Sequence, residues 1–320
     1  MHRRLLGALL CTGALFGLSP ATADAAWPEK PVEVIVPFGP GGSSDLLARL
    51  VQQSALENEL IPQPITVINQ KGHFSVGATQ VKNAEPDGYT FLVLHIALLA
   101  GEVIDPGKGL SYRDFEPVAL TGGFCLYPVV PDNSKYQSLD ELMADAQENP
   151  NSILLGVNIG AINHMAGVML EQTRPGAKFR FVQIGGGAEN YAALKGEQTQ
   201  VAVLSDSEYQ NFKSGGVRAL GYTGPERSTG SPDVPTVREL GYEFDFCVDS
   251  YWFAPKGTPA EAVEGMADML EKAMATDTVK QGMERLNLST NYMRGEEFEA
   301  RLNETFERIE PVAEAARPQQ

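Results

Sequence analysis

A glycine-rich turn is the part of this sequence whose residue types best suit binding chemistry. An apolar run over residues 32–38 leads into Gly39-Pro40-Gly41-Gly42-Ser43-Ser44-Asp45, and a helical pattern follows. The first N–H groups of a helix are unpaired and carry partial positive charge, so this turn suits an anion. A nucleotide P-loop is not indicated, because the Gly-Lys-Ser/Thr ending is missing. The turn predicts a small anionic ligand, although a plain turn with a helix cap has the same pattern.

Three later strand-to-helix junctions carry similar residues: Asn158 to Asn163 with Gly160 between them, Gly185-Gly186-Gly187, and Ser205-Asp206. In parallel α/β sheets, ligands bind beyond the carboxyl ends of the strands. Two such sheets facing each other would form a cleft lined by helix starts. The glycines also suit close packing alone, and Asp206 also suits a helix cap, a water contact or a ligand hydroxyl or amine.

The first 25 residues have the pattern of a secretory signal peptide. Arg3 and Arg4 precede an apolar stretch over residues 5–18 that is too short to span a bilayer, and small residues follow at 21–25. Cys11 lies in this stretch, where Leu10 makes lipoprotein processing a poor match. We expect an exported, soluble mature chain of about 295 residues, enough for two lobes.

Composition argues against several classes of partner. Removing Arg3, Arg4 and Asp24 leaves 23 of the 25 basic and 40 of the 41 acidic residues, a net charge of −17. This charge disfavours nucleic acid and anionic membranes. Four scattered histidines and the lack of a Cys-x-x-Cys motif disfavour a metal site. Cys125 and Cys247 lie in extended segments that we expect to cross between lobes, where they either pair or stay as thiols.

Strand and helix patterns alternate along the chain, which predicts an α/β fold. Predicted strands cover residues 32–38, 65–69, 90–95, 116–120, 126–130, 153–157, 179–184, 200–204 and 217–223, with a long extended stretch at 244–254. Predicted helices cover residues 45–58, 76–84, 139–147, 163–171, 188–195 and 237–240, and two amphipathic stretches near 263–274 and 298–309. Residues 94–98 are interpreted as a loop.

Short motifs in a fixed order cover nearly the whole mature chain. They include Trp27-Pro28, Val36-Pro37-Phe38 with Gly41-Gly42, Pro86-Asp87-Gly88-Tyr89-Thr90, His164-Met165-Ala166-Gly167, Pro232-Asp233-Val234-Pro235-Thr236 and Phe253-Ala254-Pro255-Lys256-Gly257-Thr258-Pro259. Each motif is weak alone, but their order and spacing are specific. The chain thereby resembles the Bug family, the periplasmic solute receptors of tripartite tricarboxylate transporters.

The resemblance implies a two-lobed periplasmic-binding-protein fold of the type II, Venus-flytrap kind, with the ligand cleft between the lobes. With a signal peptide over 1–25, we expect one lobe to combine residues 26–124 with 248–320 and the other to cover 125–247. We further expect a periplasmic, monomeric, non-catalytic receptor without cofactor or metal. It would bind a small carboxylate and work with two integral-membrane subunits, without inserting into the membrane itself.

The resemblance also implies which residues contact the ligand: Phe38, Gly41, Gly42, Ser43, Asp45, Asn158, Gly160, Asn163, Gly186, Gly187 and Asp206. Asp45 suits a cap or an orienting role better than direct contact, because its carboxylate would repel an anion. We add His95 and Ile96, since residues 94–98 are mostly apolar where relatives carry small hydroxyl residues. His95 would contact the ligand directly or through water, and its neighbours favour a partly apolar ligand.

Two other functions stay open from the sequence. A receptor of this kind could instead present its ligand to a two-component sensor kinase. An exported enzyme on the same scaffold is disfavoured, because a Gly-x-Ser-x-Gly elbow and a metal-ligand cluster are both missing, although a Ser/His/Asp set remains possible. The ligand itself stays open among dicarboxylates, tricarboxylates, aromatic acids and acidic amino acids.

Overall fold

The computed structural model describes residues 27–317, so the predicted signal peptide with Cys11 lies outside the described residues. The strands in this range are β1 Val32–Val36, β2 Ile65–Asn69, β3 Thr90–Leu94, β4 Phe115–Pro131, β5 Ile153–Val157, β6 Phe179–Gln183, β7 Val201–Ser205, β8 Val217–Ala219, β9 Cys247–Pro255 and β10 Ser289–Arg294. The helices are α1 Ser43–Glu57, α2 Phe74–Lys82, α3 Ala97–Ile104, α4 Leu139–Glu148, α5 Ile162–Thr173, α6 Gly187–Lys195, α7 Asp206–Phe212, α8 Ala260–Ala275, α9 Asp277–Leu286 and α10 Gly295–Ala315.

The strands form two mixed sheets that share the long strand β4. In the first lobe, the parallel strands β2, β1 and β3 are followed by antiparallel β9 and β4, and β10 pairs with the far side of β4. In the second lobe, the end of β4 pairs with β7 and β8, and β7, β5 and β6 run parallel. The fold is therefore the two-lobed α/β architecture that the sequence predicts.

The change of lobe occurs within β4, next to a disulfide. Cys125 of β4 is in register with Cys247 of β9, and the next residue, Leu126, is already in register with Ser205 of β7. Cys125 and Cys247 are joined by a disulfide, with their Cα atoms 4.1 Å apart. The lobes are therefore connected by two antiparallel strands that a disulfide links at the point where the lobes join.

Buried β-branched and aromatic residues explain the first-lobe sheet. In β1, Val34, Ile35 and Val36 are fully buried, as expected for a strand covered by helices on both faces. Trp252 of β9 is also fully buried, and its indole N–H donates to Thr121 Oγ1 at 2.6 Å. This bond satisfies the polar end of a large apolar side chain between β9 and β4.

Several local predictions were wrong. Ala97 and Leu98, which were predicted as part of a loop, begin α3, because the run Ala-Leu-Leu-Ala-Gly-Glu-Val-Ile over residues 97–104 packs almost completely into the core. Residues 237–240 form a turn, since Pro235 and Gly241 leave too few residues for a helix. β10 was not predicted, because its residues are mostly exposed and polar. Within residues 27–317, no helix has the length and apolar character needed to cross a membrane.

We expect the Cys125→Ser/Cys247→Ser double variant to lose about 2–4 kcal/mol of unfolding free energy, because the bridge restrains residues 122 positions apart in the unfolded chain. Urea unfolding followed by circular dichroism measures the loss. The control is the unsubstituted mature protein in reductant, which should match the variant. Two free thiols in denatured, unreduced protein from the periplasm would contradict the bridge.

Candidate functional site

A cavity of about 40 Å³ lies between the lobes, where the starts of several helices meet. In this arrangement of the lobes it has room for only a few water molecules. The first lobe contributes the β1–α1 turn, the end of β3 and part of β4, and the second contributes the starts of α5, α6 and α7. The lining residues are Phe38, Gly39, Gly42, Ser43, Ser44, His95, Phe124, Leu126, Asn158, Ala161, Ile162, Asn163, Gly186, Gly187, Ala188, Glu189, Val203, Ser205 and Glu208.

The structure brings most of the sequence-predicted residues to this cavity. Those that line it are Phe38, Gly42, Ser43, His95, Asn158, Asn163, Gly186 and Gly187. Those outside its lining are Gly41, Asp45, Ile96, Gly160 and Asp206. The second group has structural roles that explain its position, and ligand contact by the first group remains a prediction.

Asp45 and Gly41 stabilise the β1–α1 turn on the side away from the cavity. Gly41 has a φ of +89°, which favours glycine, and its N–H donates to Asp45 Oδ2 at 2.8 Å. Asp45 also accepts from Arg49 Nε and Asn69 Nδ2, both at 2.9 Å. The buried carboxylate is therefore committed to holding the turn, and Gly42 and Ser43 form the surface that faces the cavity.

Asp206 is the centre of a buried hydrogen-bond network beside the join between the lobes. Its carboxylate accepts from Cys125 N at 3.0 Å, Tyr127 Oη at 3.1 Å, Tyr222 Oη at 2.8 Å and Asn287 Nδ2 at 2.6 Å. Burial raises the pKa of Asp206, and these hydrogen bonds act in the opposite direction. With its oxygens already bonded, Asp206 links β4, α7 and the end of α9.

Gly160 and Ile96 lie beside the cavity for reasons of packing. Gly160 has a φ of +84°, and a Cβ there would come within 3.3 Å of the Phe74 ring. Ile96 is 2 % exposed and belongs to the main hydrophobic core, where it immediately precedes α3. Within residues 94–98, His95 lines the cavity, whereas Ile96 packs into the core.

His95 supplies a neutral, oriented imidazole at the end of β3. Its ring stacks on Phe38 with centroids 5.0 Å apart, and Nδ1 accepts from Ala97 N at 3.2 Å. Burial lowers the pKa of His95 to about 3. Since Nδ1 is an acceptor in a neutral ring, the proton lies on Nε2, and that nitrogen is a donor.

The second-lobe amides carry both donors and acceptors. Asn163 Oδ1 accepts from Asn158 N at 3.0 Å and thereby fixes the start of α5. Asn158 is fully buried, and its Nδ2 donates across the cleft to Gly72 O at 3.0 Å. Asn158 Oδ1 has no hydrogen-bond partner among residues 27–317. Asn158 lines the cavity, so a buried acceptor without a partner in the described chain belongs to the cavity wall.

Two acidic residues in the cavity were missed by the sequence analysis. Glu208 closes a capping box, because Ser205 N donates to its Oε2 at 2.8 Å, and burial raises its pKa. Glu189 lies in the first turn of α6. Gly187 and Gly39 leave room for these carboxyl groups, since a Cβ would lie 1.9 Å from Glu208 Oε2 and 2.2 Å from Glu189 Oε1. The Ser-x-x-Glu spacing at 205–208 could have identified Glu208.

Comparison with known proteins identifies the family. Residues 47–317 match the family described as "Tripartite tricarboxylate transporter family receptor". The chain is 30% identical to Protein BugT of Bordetella pertussis over 289 residues, which cover 86% of this chain and 85% of BugT.

Solved structures agree with this match. The structure of periplasmic binding protein BugD has a TM-score of 0.84 at 27% identity, with 91% of this chain and 98% of that chain covered. MatC from Rhodopseudomonas palustris with bound malate has a TM-score of 0.81 at 25% identity, with 90% and 100% covered.

We expect His95 to make the protein less stable in acid. The imidazole has a pKa near 6.5 in the unfolded chain and about 3 in the folded protein. Between these pH values the unfolded chain binds a proton that the folded protein does not bind. Acid therefore favours unfolding. Lowering the pH from 7 to 5 should cost about 2 kcal/mol through this residue. His95→Asn should remove that part of the loss, as measured by urea unfolding at both pH values.

Ile96→Val is the matched control for His95→Asn. It removes one buried methylene group next to His95 and should lower stability by about 1 kcal/mol at both pH values. The difference between pH 7 and pH 5 should stay as in the unsubstituted protein. An unchanged acid loss in His95→Asn would contradict the assignment.

Proposed function

The chain belongs to the tripartite tricarboxylate transporter family of receptors, and from this premise we propose that it captures a small organic carboxylate between its lobes for a membrane transporter. One observation supports this most strongly: the starts of α1, α5 and α6 line the same cavity. The N–H groups of a helix start lack partners within the helix, and the positive dipole ends favour an anion. The malate bound by the similar MatC supports the same ligand class.

Local hydrogen bonds are strong enough to offset the negative charge of the chain. Each N–H bond to a charged oxygen contributes about 1.5–3 kcal/mol, and three or four give about micromolar affinity after ordering costs. The net charge of −17 that remains after the signal peptide acts from a distance. Salt screens such charges beyond about 8 Å. A carboxylate at the helix starts is therefore held by its nearest neighbours.

Closure of the lobes is the proposed mechanism. Side chains already join the lobes around the cavity: Ser43 Oγ donates to Ser205 Oγ at 2.6 Å, and His73 Nε2 pairs with Ile159 O at 2.8 Å. A ligand that bonds to both lobes stabilises this closed arrangement. The proposed lobes are residues 26–124 with 248–320, and residues 125–247. The change of partner of β4 after Cys125 supports these boundaries.

The cellular setting follows from the same proposal. The protein reaches the periplasm through the signal peptide at residues 1–25, acts as a monomer and passes its ligand to two integral-membrane subunits. It does not transform the ligand. Membership of a receptor family and the secretory pattern of the N-terminus support this setting.

Gly42→Val should abolish carboxylate binding. The new Cβ would lie 3.1 Å from Glu208 Oε1, and the added methyl groups would fill the start of α1 that faces the cavity. In thermal-shift assays, a carboxylate at 100 times its Kd should stabilise the unsubstituted protein by about 2.7 kcal/mol, or several degrees in Tm. The variant should show no shift while keeping its circular dichroism spectrum.

Gly107→Val is the matched control, because Gly107 lies in an exposed turn away from the cavity and should keep the full shift. Retained affinity in Gly42→Val would remove this turn from the site. Shifts with sugars or polyamines alone would contradict a carboxylate receptor.

A non-catalytic transport role predicts two further results. A carboxylate that binds should be recovered unchanged after long incubation with the purified protein, as measured by chromatography. Deletion of the gene should abolish uptake of that carboxylate. Intact uptake together with lost induction of a reporter would instead favour the sensor-kinase alternative.

A further inference from the structure

The charge of the cavity does not match a ligand that is only an anion. Among the described residues that line it, none is Lys or Arg, and two are glutamates, Glu189 and Glu208. The imidazole that lines it, His95, is neutral because burial lowers its pKa to about 3. Helix starts favour one carboxylate here, but the lining offers no side-chain cation for a second.

The Glu189 carboxylate lies at the cavity and has one oxygen without a hydrogen-bond donor. Its Oε1 is so close to the β1–α1 turn that a Cβ on Gly39 would lie 2.2 Å away. Its Oε2 is buried and has no hydrogen-bond partner among residues 27–317. A buried carboxylate oxygen without a donor is costly, so its position calls for a donor from outside the chain.

Asn158 also has a buried acceptor atom without a hydrogen-bond donor. The residue is fully buried and lines the cavity, and its Nδ2 is used by Gly72 O at 3.0 Å. The remaining polar atom, Oδ1, accepts no hydrogen bond from the described chain. Asn158 Oδ1 and Glu189 Oε2 can only accept hydrogen bonds. An ionised carboxylate on the ligand can also only accept, so it cannot pair with either atom. A dicarboxylate without a hydroxyl or amino group would satisfy neither atom.

Glu208 does not fill this role. Its Oε2 already accepts from Ser205 N at 2.8 Å within the capping box, and its other oxygen faces Gly42 at the start of α1. Glu189 therefore remains as the acidic group with an unused oxygen. The Phe38 ring and the Glu189 carboxylate lie on either side of Gly186. A Cβ on Gly186 would be 3.5 Å from Phe38 Cδ1 and 3.2 Å from Glu189 Oε2. An aromatic ring next to a carboxylate also suits a cation.

We propose that the ligand is zwitterionic: its carboxylate binds at the helix starts, and a cationic nitrogen pairs with Glu189 while Asn158 Oδ1 accepts a hydrogen from the ligand. This inference rests on the proposed function and narrows the ligand class to acids that carry an ammonium group. Such a ligand brings donors to both unused acceptors and adds no net negative charge to the cavity.

Matched pairs of acids test the proposal by isothermal titration with the full mature protein. The pairs are aspartate and succinate, glutamate and glutarate, and β-alanine and propionate. In the pair that fits the cavity, the amino acid should bind at least tenfold more tightly than its partner without nitrogen. Equal or tighter binding of the acid without nitrogen would overturn this inference and leave the proposed function intact. Binding by neither member of any pair would count against both.

Glu189→Gln separates charge pairing from structural support. The variant should lose at least tenfold affinity for the amino acid and should keep or improve affinity for its partner, because a negative charge is removed from the cavity. Glu148→Gln, an exposed substitution at the end of α4, is the control and should change neither value. An equal loss for both members would show a merely structural role for Glu189 and contradict the proposal.

Discussion

The pairing of β4 with β9 is the constraint on which the cleft depends. β4 belongs to both sheets, and its register changes from β9 to β7 between Cys125 and Leu126. Because one continuous strand sets the position of both sheets, the strand ends of the first lobe face those of the second. The turns that follow β1, β5, β6 and β7 then lie around one space, although they are up to about 170 residues apart in the sequence.

The cavity combines two electrostatic environments. Backbone N–H groups at the starts of α1, α5 and α6 provide partial positive charge without any basic side chain. The carboxyl groups of Glu189 and Glu208 lie beside these helix starts, and Gly39 and Gly187 leave room for them. Neutral His95 and the buried amide of Asn158 add polar groups of fixed orientation. Such an arrangement distinguishes ligands by where their charges lie, and not only by their net charge.

The sequence predicted regular elements better than irregular ones. β2 and β5 have the predicted bounds, because β-branched and apolar runs end at clear turn residues. α3 was missed because a short apolar run has no periodicity that separates a buried helix from a loop or strand. Within the site, Gly42 and Gly187 carry a visible signal at strand ends. Glu189 could not be identified from the sequence, because acidic residues are common in the first turn of a helix, where they stabilise the helix.

Some of the side chains that join the lobes lie away from the cavity. Asn287 Nδ2 donates to Asp206 Oδ1 at 2.6 Å and His73 pairs with Ile159 O, and none of these four residues borders the ligand space. Substitutions in the cavity lining can therefore accumulate without removing these two contacts between the lobes. A scaffold divided in this way can acquire a different ligand preference while this part of the connection between its lobes is conserved.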